Sequence, residues 1–336
     1  MGTESSTGSR AAMPTRHLGP LVVPAIGYGA MELGGAYNPA TDGTSALAAL
    51  TAAVDAGCTL VDTSDAYGPN EEQIGAFLAS GRRRDEIVIS TKFGMRPFPD
   101  APLHRFPVAY GPGEFVINAE ARYVRPYLER SLARLGTDHV DLYQPHFTDP
   151  EVPIEETVAG MVPLQQEGLV RHLALSNPST ADLRRAQTVA PIAAVQVDWS
   201  MWWPIDPDLL AHCEATGVGI VAYSPIGRGF LTGTVTAVGA TDFRASIERF
   251  APAQLAENHD RFAPIRALAT ELGLTPGQLA LAWLLHRSPV VVPIPGSRTP
   301  VHIRENAAAA RVSLDPAQWE RVDAAVAAFV PVGRVR

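Results

Sequence analysis

Lysine is all but missing from this chain. Of its 27 basic residues, 26 are arginine, and the one lysine is Lys92. A single lysine kept among arginines points to a task arginine cannot perform, one that needs a compact, titratable amine whose pKa shifts on burial. Its position at the end of the apolar run Ile87-Val88-Ile89 argues against a leftover surface residue. Cysteine is scarce as well. Cys58 and Cys213 lie far apart inside apolar segments, which excludes a disulfide framework or a metal-ligand spacing and agrees with a reducing, cytoplasmic setting. No apolar run reaches the ~18 residues of a membrane span. No basic region followed by an apolar one marks a signal peptide. Met1–Ser6 fits the loose myristoylation pattern but reads as a polar tail. The net charge is −8, and the lone basic run, Arg82-Arg83-Arg84, reads as a solvated turn, so nothing points to nucleic acid. A dinucleotide fingerprint is also absent. Gly27-Tyr28-Gly29-Ala30-Met31-Glu32 begins like one and then fails, which speaks against a doubly wound sheet.

What is present is a regular alternation. Apolar β-branched runs occupy Ile26–Met31, Cys58–Asp62, Ile87–Lys92, Val140–His146, Leu169–Ser176, Ala194–Asp198, Gly219–Tyr223 and Val290–Ile294. Helical patterns follow them near Thr44–Ala56, Glu71–Ser80, Ala121–Leu135, Ile154–Glu167, Thr180–Val189 and Pro207–Thr216, with a pair at Pro252–Leu272 and Pro276–Arg287. Continuous apolar runs are the mark of parallel strands covered on both faces. Eight strand–helix units in a chain of 336 residues predict a closed (β/α)₈ barrel, a TIM barrel of the α/β class. Residues 17–330 are expected to form it as one domain. A disordered tail is expected over 1–16, a small hairpin within 7–24 and an extra C-terminal helix at Pro316–Ala328. Two long Gly/Pro-rich stretches, Gly94–Asn118 and Ser224–Phe250, interrupt the pattern, and loops of that length in a compact domain are usually functional.

A barrel of this kind carries its active site where the strands end. Those ends hold Asp62, Lys92, His146, Ser176 with Asn177, Gln196, and Tyr223 with Ser224, and Tyr67 follows on the loop after Asp62. Each has an ordinary explanation alone: a turn cap, a satisfied core histidine, a barrel-layer glutamine. Together at one mouth they have a chemical one. A lysine ammonium beside a phenol favours its ionisation and is expected to lower the Tyr67 pKa. Asp62 keeps that lysine charged and oriented, and His146 can hydrogen-bond a bound carbonyl oxygen. The four make a proton donor poised over a carbonyl. The matching half of a reduction is hydride from a nicotinamide. Asn177 and Gln196 suit its carboxamide, and Tyr223 suits stacking on its ring.

These residues resemble the aldo-keto reductase superfamily from Arg16 to Phe329. The resemblance is carried by Gly57–Gly68 (GCTLVDTSDAYG), Ser90-Thr91-Lys92-Phe93-Gly94, Asp141–His146, Leu175-Ser176-Asn177, Val195-Gln196, Ala222–Pro225, Pro295–Arg298 and Glu305-Asn306, all in order. It implies reduction of aldehydes or ketones with NADPH, giving NADP⁺. Tyr67 would be the general acid, tuned by Asp62 and Lys92, with His146 orienting the carbonyl. It places Ser176, Asn177, Gln196 and Tyr223 at the nicotinamide end, and assigns Gly29 and Met31 to the cofactor as well. Ser224, Pro225, Ile226, Gly227, Arg228 and Gly229 would wrap the pyrophosphate. Gly296–Asn306 would grip the 2′-phosphate and adenine, with Gly296, Ser297 and Arg298 suited to the phosphate, Glu305 and Asn306 to the adenine, and His302 between them. This sequence departs from the pattern at His302, where relatives often have arginine, so the phosphate grip leans on Arg298. It departs again at Phe147-Thr148-Asp149, where many relatives carry an arginine-centred segment. The aromatic insert Gly94–Asn118 reads either as a lid or as a packed surface loop. Trp199, Trp202 and Trp203 read either as pocket wall or as core. Two other functions stay open: a lyase forming a Schiff base on Lys92, and a barrel that senses NADPH for a partner without turnover. The partner expected is a small carbonyl compound, with oligomeric state undetermined.

Overall fold

All eight apolar runs form strands of one parallel sheet. The computed structural model describes residues 12–37, 39–81, 84–108 and 113–334. An antiparallel hairpin, β1 (Thr15–Leu18) with β2 (Leu21–Pro24), precedes the sheet. It takes in Thr15 and Arg16, the last two residues of the expected tail, whereas residues 1–11 lie outside the described residues. The sheet begins with β3 (Tyr28–Gly29), β4 (Leu60–Asp62) and β5 (Val88–Phe93). A second hairpin, β6 (His104–Pro107) with β7 (Glu114–Ile117), stands apart from it. The sheet resumes with β8 (Val140–Pro145), β9 (Val170–Ser176), β10 (Ala194–Asp198), β11 (Gly219–Tyr223) and β12 (Val291–Pro293).

Neighbours in the sheet follow chain order from β3 to β12, skipping only the β6–β7 hairpin. The two ends are joined: the Gly27 amide donates to the Pro293 carbonyl at 3.0 Å and the Gly29 amide to Pro295 at 3.3 Å. This seam needs a glycine, because a Cβ on Gly29 would sit 2.7 Å from the Ile294 carbonyl oxygen. The ring is therefore closed. The first hairpin plugs the end where the strands begin. Leu18 and Val23 pack with Leu60, Leu142, Val221 and Val292 inside the ring. Gly219, the first residue of β11, leaves room for Leu18, which a Cβ there would meet at 2.4 Å.

The helices cover the outer face: α1 (Gly43–Asp55), α2 (Asn70–Ala79), α3 (Ala121–Leu135), α4 (Ile154–Gln166), α5 (Thr180–Gln187), α6 (Pro207–Thr216), α7 (Pro252–Glu271), α8 (Pro276–Arg287), α9 (Pro300–Ala308) and α10 (Pro316–Ala328). Local chemistry sets their starts. Ser179, Thr275 and Asp315 each accept the amide three residues on, and Asp182, Gln278 and Gln318 answer with their side chains. Among the described residues no helix is long and apolar enough to cross a membrane.

Some expectations change. Residues 300–308, read only as cofactor contacts, form α9, with Pro300 pre-set for the first helical turn. Arg84 is no solvated turn residue, since its guanidinium donates to Asp141 Oδ2 at 2.7 Å and to the Ile87 and His139 carbonyls. Arg82 and Arg83 lie outside the described residues. The three tryptophans are core. Trp202 is buried against Phe230, with ring centroids 3.9 Å apart.

Candidate active site

Asp62 ends β4 with its carboxylate inside the barrel mouth. It accepts hydrogen bonds from Lys92 Nζ at 2.5 Å, Ser90 Oγ at 2.9 Å and Gln196 Nε2 at 2.7 Å. Lys92 Nζ also donates to the Thr63 carbonyl at 2.8 Å. Both charged groups are buried. Burial pulls the Lys92 pKa down, while the Asp62 carboxylate opposes that shift. An ion pair this deep is tolerable because further hydrogen bonds fill its remaining donors and acceptors.

Tyr67 reaches the mouth on the loop after β4. That loop lies so close to the turn after β3 that a Cβ on Gly34 would fall 2.0 Å from the Tyr67 carbonyl oxygen. The phenol oxygen is 3.2 Å from His146 Nε2, and the two rings meet edge-on with centroids 5.4 Å apart. Lys92 Nζ lies 5.0 Å from the Tyr67 ring centroid. Its hydrogen bonds among the described residues go to Asp62 and Thr63, not to the phenol. The expected lowering of the Tyr67 pKa is not found. Burial raises it well above the ordinary phenol value, and the Asp62 carboxylate adds to the rise. The main reason is lost hydration of the buried phenol, with the negative charge of Asp62 second. His146, whose amide donates to the Phe93 carbonyl at 2.9 Å, is held neutral, because burial and the nearby Lys92 charge push its pKa well below the usual imidazole value.

These groups open into a cavity of about 910 Å³. Its wall includes Asp62, Tyr67, His146 and every residue assigned to the cofactor from the sequence except Gly227. Lys92 stands behind Asp62, off the wall. Gly227 is turned toward the core, where a Cβ would come 2.9 Å from Trp202. The Tyr223 hydroxyl donates to Asn177 Oδ1 at 2.9 Å, and Asn177 Nδ2 donates to Ser176 Oγ at 3.0 Å. Asn177, Ser224 and Arg228 all adopt left-handed backbone, with φ of 54°, 49° and 55°. Such conformations cost energy in non-glycine residues and gather at functional sites. At the far end, Arg298 Nε lies 3.6 Å from the Glu32 carboxylate, and its guanidinium donates to the Pro39 carbonyl at 3.2 Å.

Sequence reasoning missed part of the wall. Arg244 donates to the Arg228 carbonyl at 2.9 Å and lies over the Tyr37 ring at 4.8 Å, and both residues line the cavity. Arg228 in turn pairs with Asp198 at 3.1 Å. Neither Arg244 nor Tyr37 lies where the strand-end rule looks; Asp198 does, ending β10, but it stands behind Arg228 and off the wall. The 94–118 insert contributes Met95 and Phe115 to the wall, while Phe98 turns away to stack on Tyr123 and Tyr127. The tip of its hairpin, residues 109–112 with Tyr110, lies outside the described residues.

The family model for the aldo/keto reductase family matches residues 25–327. The chain belongs to this family. An NADP(+) aldo-keto reductase of Schizosaccharomyces pombe is 37% identical over 320 residues, covering 93% of this chain and 91% of that protein. The structure of a glycerol dehydrogenase from Gluconobacter oxydans superposes with a TM-score of 0.79 at 26% identity, covering 97% of this chain and 98% of the other. The structure of an aldo-keto reductase from Klebsiella pneumoniae in complex with NADPH gives 0.71 at 26% identity, again covering 97% and 98%. The (β/α)₈ barrel with its leading hairpin is thus the aldo/keto reductase architecture.

Proposed function

We propose that this aldo/keto reductase family member reduces an aldehyde or ketone to an alcohol, with Tyr67 as proton donor and NADPH as reductant. The single observation that carries the reading is the Tyr67–His146 pair facing the cavity, with the buried Asp62–Lys92 ion pair behind it.

The donor set of the cavity fits a nicotinamide dinucleotide phosphate. Arg228, Arg244 and Arg298 on its wall suit phosphates, since arginine forks match their oxygens. Ser176, Asn177 and Gln196 bring hydroxyl and amide groups suited to a carboxamide, and Tyr223 offers a ring to stack on. Ser297, His302, Glu305 and Asn306 complete the adenosine end. When bound, the reduced nicotinamide supplies a hydride to the carbonyl carbon. Tyr67 supplies the proton to the carbonyl oxygen. Its raised pKa keeps the phenol protonated through the neutral range, as an acid catalyst of reduction requires. Neutral His146 holds the oxygen by a hydrogen bond. After proton transfer the Lys92 ammonium, 5.0 Å from the ring, stabilises the phenolate left behind.

The substrate mouth is lined by Met95, Phe115 and Phe147, next to His146. That wall favours carbonyl compounds carrying an apolar or aromatic group. A Schiff-base lyase fits less well, because Lys92 Nζ is buried, committed to Asp62 and Thr63, and off the cavity wall. The sensor reading leaves the Tyr67–His146 arrangement without a use. The cofactor assignment has its own test. Arg298→Ala is expected to weaken NADPH binding by about 10- to 100-fold and NADH binding far less, measured by titration of each dinucleotide. Equal losses for both would remove the phosphate role of Arg298.

A further inference from the structure

The side of His146 away from the phenol leads to a carboxyl that the reaction above does not use. His146 Nδ1 lies 3.0 Å from Ser64 Oγ, which accepts the Ala66 amide at 3.1 Å and lies 3.3 Å from Asp65 Oδ1. With the Tyr67–His146 contact at 3.2 Å, the hydrogen bonds form one line: Tyr67, His146, Ser64, Asp65. The Asp65 side chain has no solvent exposure, its Oδ2 accepts no hydrogen bond among the described residues, and Arg130 Nη2 stands 3.5 Å away. A buried carboxyl with half its capacity unfilled, at the end of a line that begins on the proposed acid, needs a reason.

We propose that Asp65 is a positioning residue that sets, through Ser64, which nitrogen of His146 carries the proton. The inference rests on the reading of Tyr67 and His146 given above. It follows from counting donors. Ser64 has one hydroxyl hydrogen and two lone pairs, and the Ala66 amide occupies one of those pairs. If Asp65 is a carboxylate it can only accept, so Ser64 donates to it and must accept from His146 Nδ1–H. His146 Nε2 is then bare and draws the Tyr67 proton away from a carbonyl. If Asp65 is the acid, its O–H donates to Ser64, and Ser64 donates to Nδ1. The imidazole hydrogen then sits on Nε2, where it can donate to a carbonyl oxygen and leaves the phenol proton free for transfer. The imidazole is neutral in both states, and only its tautomer changes.

Groups on several elements face this carboxyl: Glu71 of α2, Arg130, Arg134 and Tyr127 of α3, Tyr143 of β8, and Lys92 of β5, whose carbonyl accepts the Asp65 amide at 3.2 Å. Burial and Glu71 push its pKa up, while Arg130, Arg134 and the Ser64 hydroxyl hold it back, leaving it at about 7. The donor tautomer therefore prevails below that pH and is lost above it. Reductive kcat is expected to fall as pH rises through this range, toward a plateau about 10²-fold lower, the effect of removing one donor from a developing oxyanion.

The test has two arms. In the first, kcat at saturating NADPH and carbonyl is followed from about pH 5.5 to about pH 9.5 for the wild type, Asp65→Asn and Ser64→Ala. The asparagine amide donates to Ser64 at every pH, and alanine breaks the line, so both variants are expected to lose the limb near neutrality. In the second, ¹⁵N shifts of the His146 ring are read in the resting wild-type protein, with the resonance assigned by its loss in His146→Gln. The ring hydrogen is expected on Nε2 at about pH 5.5 and on Nδ1 at about pH 9. A limb that persists in Asp65→Asn, or one His146 tautomer across the whole range, overturns the proposal. Because the second arm needs no turnover, it stands apart from failure of Tyr67 as the acid, which would appear as an active Tyr67→Phe variant.

Discussion

Replacing Tyr67 by phenylalanine is expected to lower reductive turnover by about 10²–10⁴-fold, the usual contribution of a positioned general acid. NADPH binding is expected to be spared, because the residues assigned to the dinucleotide are untouched. The substitution removes one oxygen and keeps the ring that meets His146 edge-on and lies 5.0 Å from Lys92 Nζ. A loss confined to kcat, with the dinucleotide dissociation constant unchanged, marks an interaction made only in the transition state. Near wild-type turnover in this variant would remove Tyr67 from the mechanism.

The second large effect concerns stability as well as rate. Lys92→Met leaves the buried Asp62 carboxylate without its cation, which is expected to cost about 3–5 kcal/mol, enough to lower the melting temperature by roughly 5 °C in a domain of this size. Turnover is expected to fall too, because under the proposed mechanism the phenolate formed by proton transfer loses its nearby charge. The double variant Lys92→Met with Asp62→Leu should regain part of the lost stability and none of the activity. The stability cost comes mainly from the stranded carboxylate, whereas the catalytic cost comes from the missing ammonium. Thermal unfolding of the single and double variants separates the two. Equal destabilisation in both would mean the ion pair matters only as packing.

Much of this fold was legible because parallel strands covered on both faces must be continuous apolar runs, and each such run here became a strand. The candidate catalytic residues were legible for a related reason. In a barrel a polar residue at the end of an apolar strand has nowhere to go but the mouth, which is why Asp62, His146 and Gln196 could be named. Lys92 stood out by composition, and its burial against Asp62 accounts for its survival among 26 arginines. Apart from Asp198, what escaped lies off the strand ends. Tyr37 and Arg244 reach the cavity from irregular segments whose course depends on packing across the barrel, and no period in the sequence encodes it. Helix α9 was missed because its residues had already been read as cofactor contacts. The direction of the Tyr67 pKa also came out reversed. The sequence placed a cation beside the phenol, but the balance between that cation, the Asp62 carboxylate and lost hydration depends on distances and burial. Ser64 and Asp65 were within the quoted motif, yet their link through His146 appears only when β4 and β8 come together.

The most direct test of the central claim is to follow the NADPH absorbance band while the protein is offered a panel of aldehydes and ketones, aromatic and apolar ones included. The account predicts NADPH oxidation matched by alcohol formation, fastest for the apolar and aromatic members. Tight NADPH binding with no oxidation by any member of the panel would contradict it.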